Sequence, residues 1–123
     1  MLYIGSLLTV LIGLIHSLLG EKYILIRLFR RNDLPVLLGS DWFTKRVLRF
    51  AWHITTIAWW GFAAILYVMA EPSSNIQGEV LQITGMVFLL SGLLSAGFTN
   101  GKHISWVVFG LIAGLCFYAA LHS

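Results

Sequence analysis

The first twenty residues, MLYIGSLLTVLIGLIHSLLG (1–20), contain no Lys, Arg, Asp or Glu. A helix needs roughly 20 apolar residues to cross about 30 Å of hydrocarbon, and this stretch has that length. No basic residue precedes it and no small-residue cleavage pattern follows, so we expect a permanent first helix rather than a signal peptide. Three further apolar runs follow in a chain of 123 residues, of which 59% are hydrophobic and 11% charged. The sequence therefore predicts an all-α integral membrane protein with four transmembrane helices.

Helix-breaking residues set the expected bounds of these helices. Asp33, Pro35 and Gly39 separate the first two helices, Pro72 marks the second connection, and TNGK at 99–102 forms a tight third turn. Within one domain that spans residues 1–123, we expect helices at about 2–29, 41–70, 78–98 and 103–122. Short connections make consecutive helices antiparallel neighbours, so the expected fold is an up-down four-helix bundle.

The basic residues predict the orientation of the chain. Seven of the eight Lys and Arg lie at or between the first two apolar runs, and Lys102 lies between the third and fourth. The connection at 71–79 has none. By the positive-inside rule, both basic connections face the cytoplasm and both termini lie on the outer side of the inner membrane. We expect the basic loop at about 30–40 to contact anionic lipid headgroups, and no nucleic-acid partner.

Several function classes are excluded by what the chain lacks. The lone Cys116 allows neither an intramolecular disulfide nor a thiolate zinc site. There is no Gly-rich phosphate loop and no Ser-His-Asp set, so a hydrolase or kinase is not expected. Electron transfer is the enzymatic activity that the sequence leaves open.

Small residues spaced by four predict the faces on which the helices pack, because they allow close approach in lipid. Such stripes occur on the first, third and fourth helices: Gly5, Thr9, Gly13 and Ser17, continuing onto Glu21; Thr84, Ser91, Ser95 and Thr99; and Gly110 with Gly114. The last pair also predicts that His103, in the same register, shares the packed face of the fourth helix. The same stripes could instead mediate homo-oligomer contacts.

Four ionisable side chains are expected at similar depth in the cytoplasmic half of the bundle, namely His16, Glu21, His53 and His103. Imidazole and carboxylate groups are ligands for transition metals, so convergence of these side chains predicts a Cu, Fe or Zn site. Alternatively, His16 and His53 are the axial ligands of a b-type haem, against which Trp60 packs.

Each of these side chains also has a plainer interpretation. His16 could bond to Ser17 or a facing Thr, and Glu21 could pair with Lys22, Arg27 or Arg49. His53 could lie among Arg49 and lipid phosphates, His103 could be an ordinary helix-start residue, and Trp60 could fill volume while its N–H finds an acceptor.

Three functions remain open. The first is membrane redox chemistry or metal handling at the His/Glu site, and the second is an accessory or oligomeric subunit of a membrane complex. The third is small proton-coupled transport. The chain resembles the small multidrug resistance transporters in its four helices, its length and the glutamate in its first helix. This resemblance implies that Glu21 binds and releases protons during transport. In that family the glutamate lies mid-membrane and the loop charges balance, whereas Glu21 is expected near the boundary and the basic residues lie on one side.

Overall fold

The chain forms four helices and no β-strand. The computed structural model describes the whole chain, residues 1–123. Its helices, which we number in chain order, are α1 (Leu2–Leu28), α2 (Trp42–Val68), α3 (Ile76–Thr99) and α4 (Ser105–Leu121). The first three are long and apolar enough to cross a membrane, and α4 is an apolar helix of 17 residues.

The ends of the helices are fixed by local polar contacts. Ser40 Oγ accepts a bond from the backbone N–H of Trp42 at the start of α2, at 3.3 Å. Asn75 Oδ1 caps α3 by accepting from the N–H of Gly78 at 2.9 Å. At the other end of α3, Asn100 (φ 51°) and Gly101 (φ 72°) take left-handed conformations, which end a helix and turn the chain sharply. The 99–102 connection is thus the tight turn that the sequence predicts.

One widened turn interrupts α1. Residues Gly20–Leu25 are π-helical, and the N–H of Ile26 bonds to the carbonyl oxygen of Glu21, five residues earlier. Gly20 is the first residue of this widened turn, and Trp52 of α2 packs closely against it. A Cβ at this position would lie only 2.2 Å from the indole Nε1. Short π-helical turns occur often at functional sites. This one contains Glu21 and was not expected from the sequence.

Each helix packs only on the helices that precede and follow it in the chain. α1 packs on α2, α2 on α3 and α3 on α4, and no backbone contact joins α1 to α3 or α4. The antiparallel order is consistent with a helical bundle, but the first and last helices do not meet. Only four apolar side chains are buried, namely Leu25, Phe50, Ala63 and Ala113, while many leucines are exposed. Such an apolar exterior is typical of helices in a hydrocarbon environment.

Two of the three predicted packing stripes are confirmed. On α1, a Cβ at Gly13 would lie 2.6 Å from Trp60 Nε1, so α2 approaches this stripe closely. On α3, Ser91, Ser95 and Thr99 are buried. These contacts place the small residues of α1 and α3 at helix interfaces, where small side chains let helices approach closely.

The predicted stripe on α4 is wrong. A Cβ added at Gly110 or Gly114 would meet nothing within 4 Å, so this side of α4 faces outward. The packed side carries Phe109, Ala113 and Phe117 instead, because the phenylalanines cover glycines that α3 supplies. His103 therefore does not share a packed face with the two glycines. It lies in the turn before α4, against aromatic rings of α2.

Candidate functional site

Polar side chains of α1 and α2 meet in one cluster at the basic end of their interface. On α1, Ser17 and Glu21 are four residues apart and therefore lie on the same face. On α2, Arg49, His53 and Thr56 follow one another at spacings of four and three, which also defines a single face. Because the small stripe of α1 packs on this face of α2, the two sets face each other. We call these five residues the seam cluster.

Glu21 is the centre of the seam cluster. Its Oε1 lies 2.8 Å from Arg49 Nη2, and its Oε2 accepts from Arg49 Nε at 3.3 Å. The same Oε2 lies 3.2 Å from His53 Nε2. All three side chains are partly buried, with 23 to 30% of their surface exposed. A carboxylate that binds a guanidinium through both oxygens is held in a fixed orientation.

The cluster continues from His53 toward the middle of the helices. His53 Nδ1 lies 2.6 Å from Ser17 Oγ, and the Thr56 hydroxyl lies 3.2 Å from the same oxygen. Thr56, which is 3% exposed, is also within 3.4 Å of the carbonyl oxygen of Gly13. The result is an unbroken series of hydrogen bonds from Arg49 through the carboxylate, the imidazole and two hydroxyl groups.

The contacts assign a role to each nitrogen of His53. A carboxylate only accepts hydrogen bonds, so Nε2 carries a proton and donates it to Glu21. In the neutral ring Nδ1 is then the acceptor, and the Ser17 hydroxyl donates to it. Both nitrogens are therefore engaged, and neither lone pair is free to bind a metal unless the cluster rearranges.

His16 lies outside the seam cluster. Its ring stacks on Trp52 with centroids 4.5 Å apart and planes 3° apart, and Trp59 packs against it at 4.8 Å. The indole N–H of Trp52 donates to the His16 carbonyl oxygen at 3.1 Å. His16 Nε2 is buried and has no hydrogen-bond partner. The expected bond between His16 and Ser17 or a facing Thr is absent, because Ser17 bonds to His53.

His103 belongs to a second polar group at the junction of α3 and α4. Its Nδ1 accepts from the backbone N–H of Ser105 at 3.3 Å and lies 2.7 Å from Ser105 Oγ. Ser105 Oγ in turn lies 2.7 Å from Ser95 Oγ. Rings of Phe43 and Phe50 flank the imidazole, at 6.1 and 5.2 Å. This residue thus ties α4 to α3 and α2 rather than joining Glu21 and His53.

Trp60 is positioned by packing and one backbone bond. Its indole N–H donates to the carbonyl oxygen of Val10 at 3.3 Å, and the ring covers Gly13. It thus crosses from α2 to α1, nearer the middle of the helices than the seam cluster.

Of the four side chains expected to converge, the structure brings together only Glu21 and His53. No group of three His, Cys, Asp or Glu side chains is close enough to share a metal ion. Binding of Cu, Fe, Zn or a b-type haem by these residues stays a prediction that the geometry does not favour. Sequence reasoning treated Arg49 as one of several possible partners and did not place Ser17 and Thr56 in a site. Ser17 lies four residues before Glu21, and Thr56 lies three residues after His53. These helical spacings could have placed Ser17 and Thr56 in the site.

Comparison with known proteins gave no lead to function. No family model, no curated protein and no solved structure matches the chain. Any functional conclusion therefore depends on the residues and their geometry.

Proposed function

We propose that the chain is a four-span protein of the cell inner membrane, with both termini outside and the seam cluster in the cytoplasmic half. Three helices of sufficient length and an apolar exterior support insertion into a bilayer. The clustering of the basic residues at one end of the helices supports the orientation, because cytoplasmic connections are rich in Lys and Arg.

We further propose that this protein translocates protons along the α1–α2 interface, as a small proton-coupled transporter. The observation that carries this proposal is the continuous hydrogen-bonded series from Arg49 and Glu21 through His53 to Ser17 and Thr56. Ionisable groups within spanning helices are costly to retain and commonly mark proton relays.

Polar groups continue along the same interface toward the opposite end. Thr9 donates to the carbonyl oxygen of Gly5 at 2.8 Å, and Ser6 donates to that of Ala63 at 2.8 Å. At the far end, the Tyr3 hydroxyl donates to Glu71 Oε1 at 2.6 Å. The interface therefore has a carboxylate at each end and hydroxyl groups between them.

His53 supplies the step that a relay needs. A neutral imidazole accepts a proton at Nδ1 and delivers the Nε2 proton to the Glu21 carboxylate, so one proton enters the ring and one leaves it. With Nδ1 protonated, the bond to Ser17 reverses, and the Ser17 hydroxyl must turn to another acceptor. The Gly13 carbonyl, four residues earlier on α1, is the usual acceptor for a helical serine. Proton uptake thus changes the contacts between α1 and α2.

Proton flux into liposomes tests this function directly. The protein is reconstituted into vesicles that contain a pH-sensitive dye, and a potassium diffusion potential drives proton entry. We expect entry above the rate of protein-free vesicles and its loss in Glu21→Gln and in His53→Gln. Glu79→Gln is the matched control, because Glu79 contacts Ser73 away from the α1–α2 interface. Equal rates in the wild type, the seam variants and empty vesicles would reject proton translocation.

A second candidate function is that of an oligomeric or accessory subunit. The outward face of α4 carries Gly110 and Gly114 with open space above them, and α1 and α4 each have a side that no other helix covers. A helix of a second copy or of another subunit could approach the glycines closely. The mass of the particle in mild detergent tests this function. We expect an oligomer that Gly114→Leu dissociates, and a monomeric wild type would reject homo-oligomerisation.

A further inference from the structure

An apolar groove runs along the interface of α2 and α3, away from the seam cluster. Its larger part, about 510 Å³, is lined by Ile57, Trp60 and Ala64 of α2 and by Met86 and Leu90 of α3. Leu93 and Leu94 line this part and also a smaller hollow of about 240 Å³. The hollow is lined as well by Arg46, Gly97 and Phe98. The two cavities thus form one groove with a cation at one end.

The groove has the length and volume of an amphiphile site. Arg46 and Ala64 are eighteen positions apart on one helix. At 1.5 Å per residue they are separated by about 27 Å, more than the roughly 20 Å from a headgroup to the bilayer midplane. The volume lies in the range of about 300–1,000 Å³ that small-molecule sites occupy. The lining between the two ends is almost entirely apolar, which suits a hydrocarbon chain.

The cations at the open end, Arg46 and Lys102, have no carboxylate partner. The carboxylates in ion pairs are bound to Arg31, Lys45 and Arg49 or His53, and none contacts Arg46. The Arg46 guanidinium lies 5.5 Å from the Trp42 ring, and Lys102 Nζ lies 5.1 Å from the same ring. Two positive charges without a carboxylate partner therefore lie near one indole beside the groove. A phosphate group matches them in charge, and a guanidinium binds phosphate through two parallel bonds.

We propose that this groove binds one anionic phospholipid. Its phosphate lies between Arg46 and Lys102, and one acyl chain follows the groove past Leu93 and Leu94 to Trp60 and Ala64. This is one defined binding site between two helices, distinct from the general contact of lipid headgroups with the 30–40 loop. It depends on insertion into a membrane and not on proton translocation.

Lipid binding by the purified protein tests the headgroup end. The protein is delipidated in a maltoside detergent and titrated with phosphatidylglycerol that carries chains of 16 to 18 carbons, and the bound lipid is counted by native mass spectrometry. We expect one tight site and about tenfold weaker binding in Arg46→Gln, because a charge-assisted contact is lost. Arg30→Gln is the matched control in the basic loop, and its affinity should equal that of the wild type. Equal losses in both variants would show general charge attraction and overturn the proposal.

Filling the groove tests the acyl-chain end. Ala64→Phe places a ring in the deep part and should weaken binding at least as much as Arg46→Gln. Leu115→Phe, on an exposed position of α4, is its control. Thermal unfolding identifies a variant that no longer folds, in which case Met86→Trp serves as the second groove-filling substitution. Unchanged binding in a folded groove-filling variant would overturn the proposal.

Competition separates a lipid from a free phosphate. Phosphatidylglycerol with six-carbon chains and inorganic phosphate should displace the long-chain lipid weakly, and phosphatidylcholine should bind less tightly than phosphatidylglycerol. Displacement by inorganic phosphate as strong as that by the long-chain lipid would assign the site to phosphate alone. Equal affinity for the two headgroups would show that the site does not select an anionic lipid. Either result would overturn the proposal.

Discussion

The Arg49 guanidinium contacts both carboxylate oxygens of Glu21 across the α1–α2 interface, at 2.8 and 3.3 Å. One residue of α2 thereby fixes the orientation of Glu21, the only carboxylate of α1. The same contact directs Oε2 toward His53. The relay that we propose consequently depends on Arg49 for its geometry.

We expect the Arg49–Glu21 pair to show energetic coupling of about 1–2 kcal/mol, between the values of exposed and buried ion pairs, because both groups are only partly buried. A double-mutant cycle with Arg49→Gln, Glu21→Gln and the double variant measures it from unfolding in mixed detergent micelles. Arg49→Gln alone should be the more harmful single change, since it leaves a carboxylate without its cation. Additive losses in the free energy of unfolding would contradict a direct interaction.

The unpartnered nitrogen of His16 leads to a second prediction. His16→Phe keeps the stack on Trp52 and removes the buried Nε2, whose lack of a partner costs about 1–3 kcal/mol in a folded protein. We expect unfolding at the same or a higher temperature than in the wild type. His53→Phe is the contrasting change and should lower stability, because it breaks the bonds to Ser17 and Glu21.

Elemental analysis and an absorption spectrum of the same variants address the metal or haem interpretation. If His16 is a ligand, His16→Phe must lose a bound metal or a haem spectrum that the wild type shows. We expect no such difference, since His16 and His53 do not share a group of ligands.

The number of helices, their antiparallel order and the packing stripe of α1 follow from the sequence because they depend on hydrophobic runs and on spacing along one helix. The partners of the polar residues do not follow, because they depend on how each helix is rotated about its axis. His16 and Ser17 are adjacent in sequence, yet one faces Trp52 and the other His53. Similarly, Gly110 and Gly114 have the spacing of a contact motif, but α4 presents its phenylalanines to α3.

The Arg31–Asp33 pair in the loop before α2 predicts a pH-dependent contact. A hydrogen bond from the Arg31 guanidinium lowers the pKa of the Asp33 carboxyl group below its ordinary value. The contact is therefore present at neutral pH and is lost as the pH falls through the lowered value. NMR titration of the carboxyl carbon measures this pKa, and Arg31→Gln should raise it. Because both groups are exposed, 1 M salt should also raise it. A titration that neither change affects would contradict the pairing.

The contact between Gly20 and Trp52 leads to the sharpest structural prediction. A Cβ at position 20 would lie 2.2 Å from the indole, so Gly20→Ala must displace Trp52 and disturb its bond to the His16 carbonyl oxygen. We expect a loss of about 1–3 kcal/mol in the free energy of unfolding, the usual cost of overpacking. The displaced indole should also change the near-ultraviolet circular dichroism.

Gly110→Ala, measured on monomeric protein in detergent, is the matched control, since its new methyl group meets no atom of the chain within 4 Å. Replacing a glycine in a helix interior by alanine should raise stability by roughly 0.5–1 kcal/mol when no clash results. The two substitutions are chemically identical, so opposite signs would isolate the effect of the Trp52 contact. Equal and small effects would mean that α1 and α2 do not pack through Gly20, and Glu21 would then have no fixed position opposite Arg49 and His53.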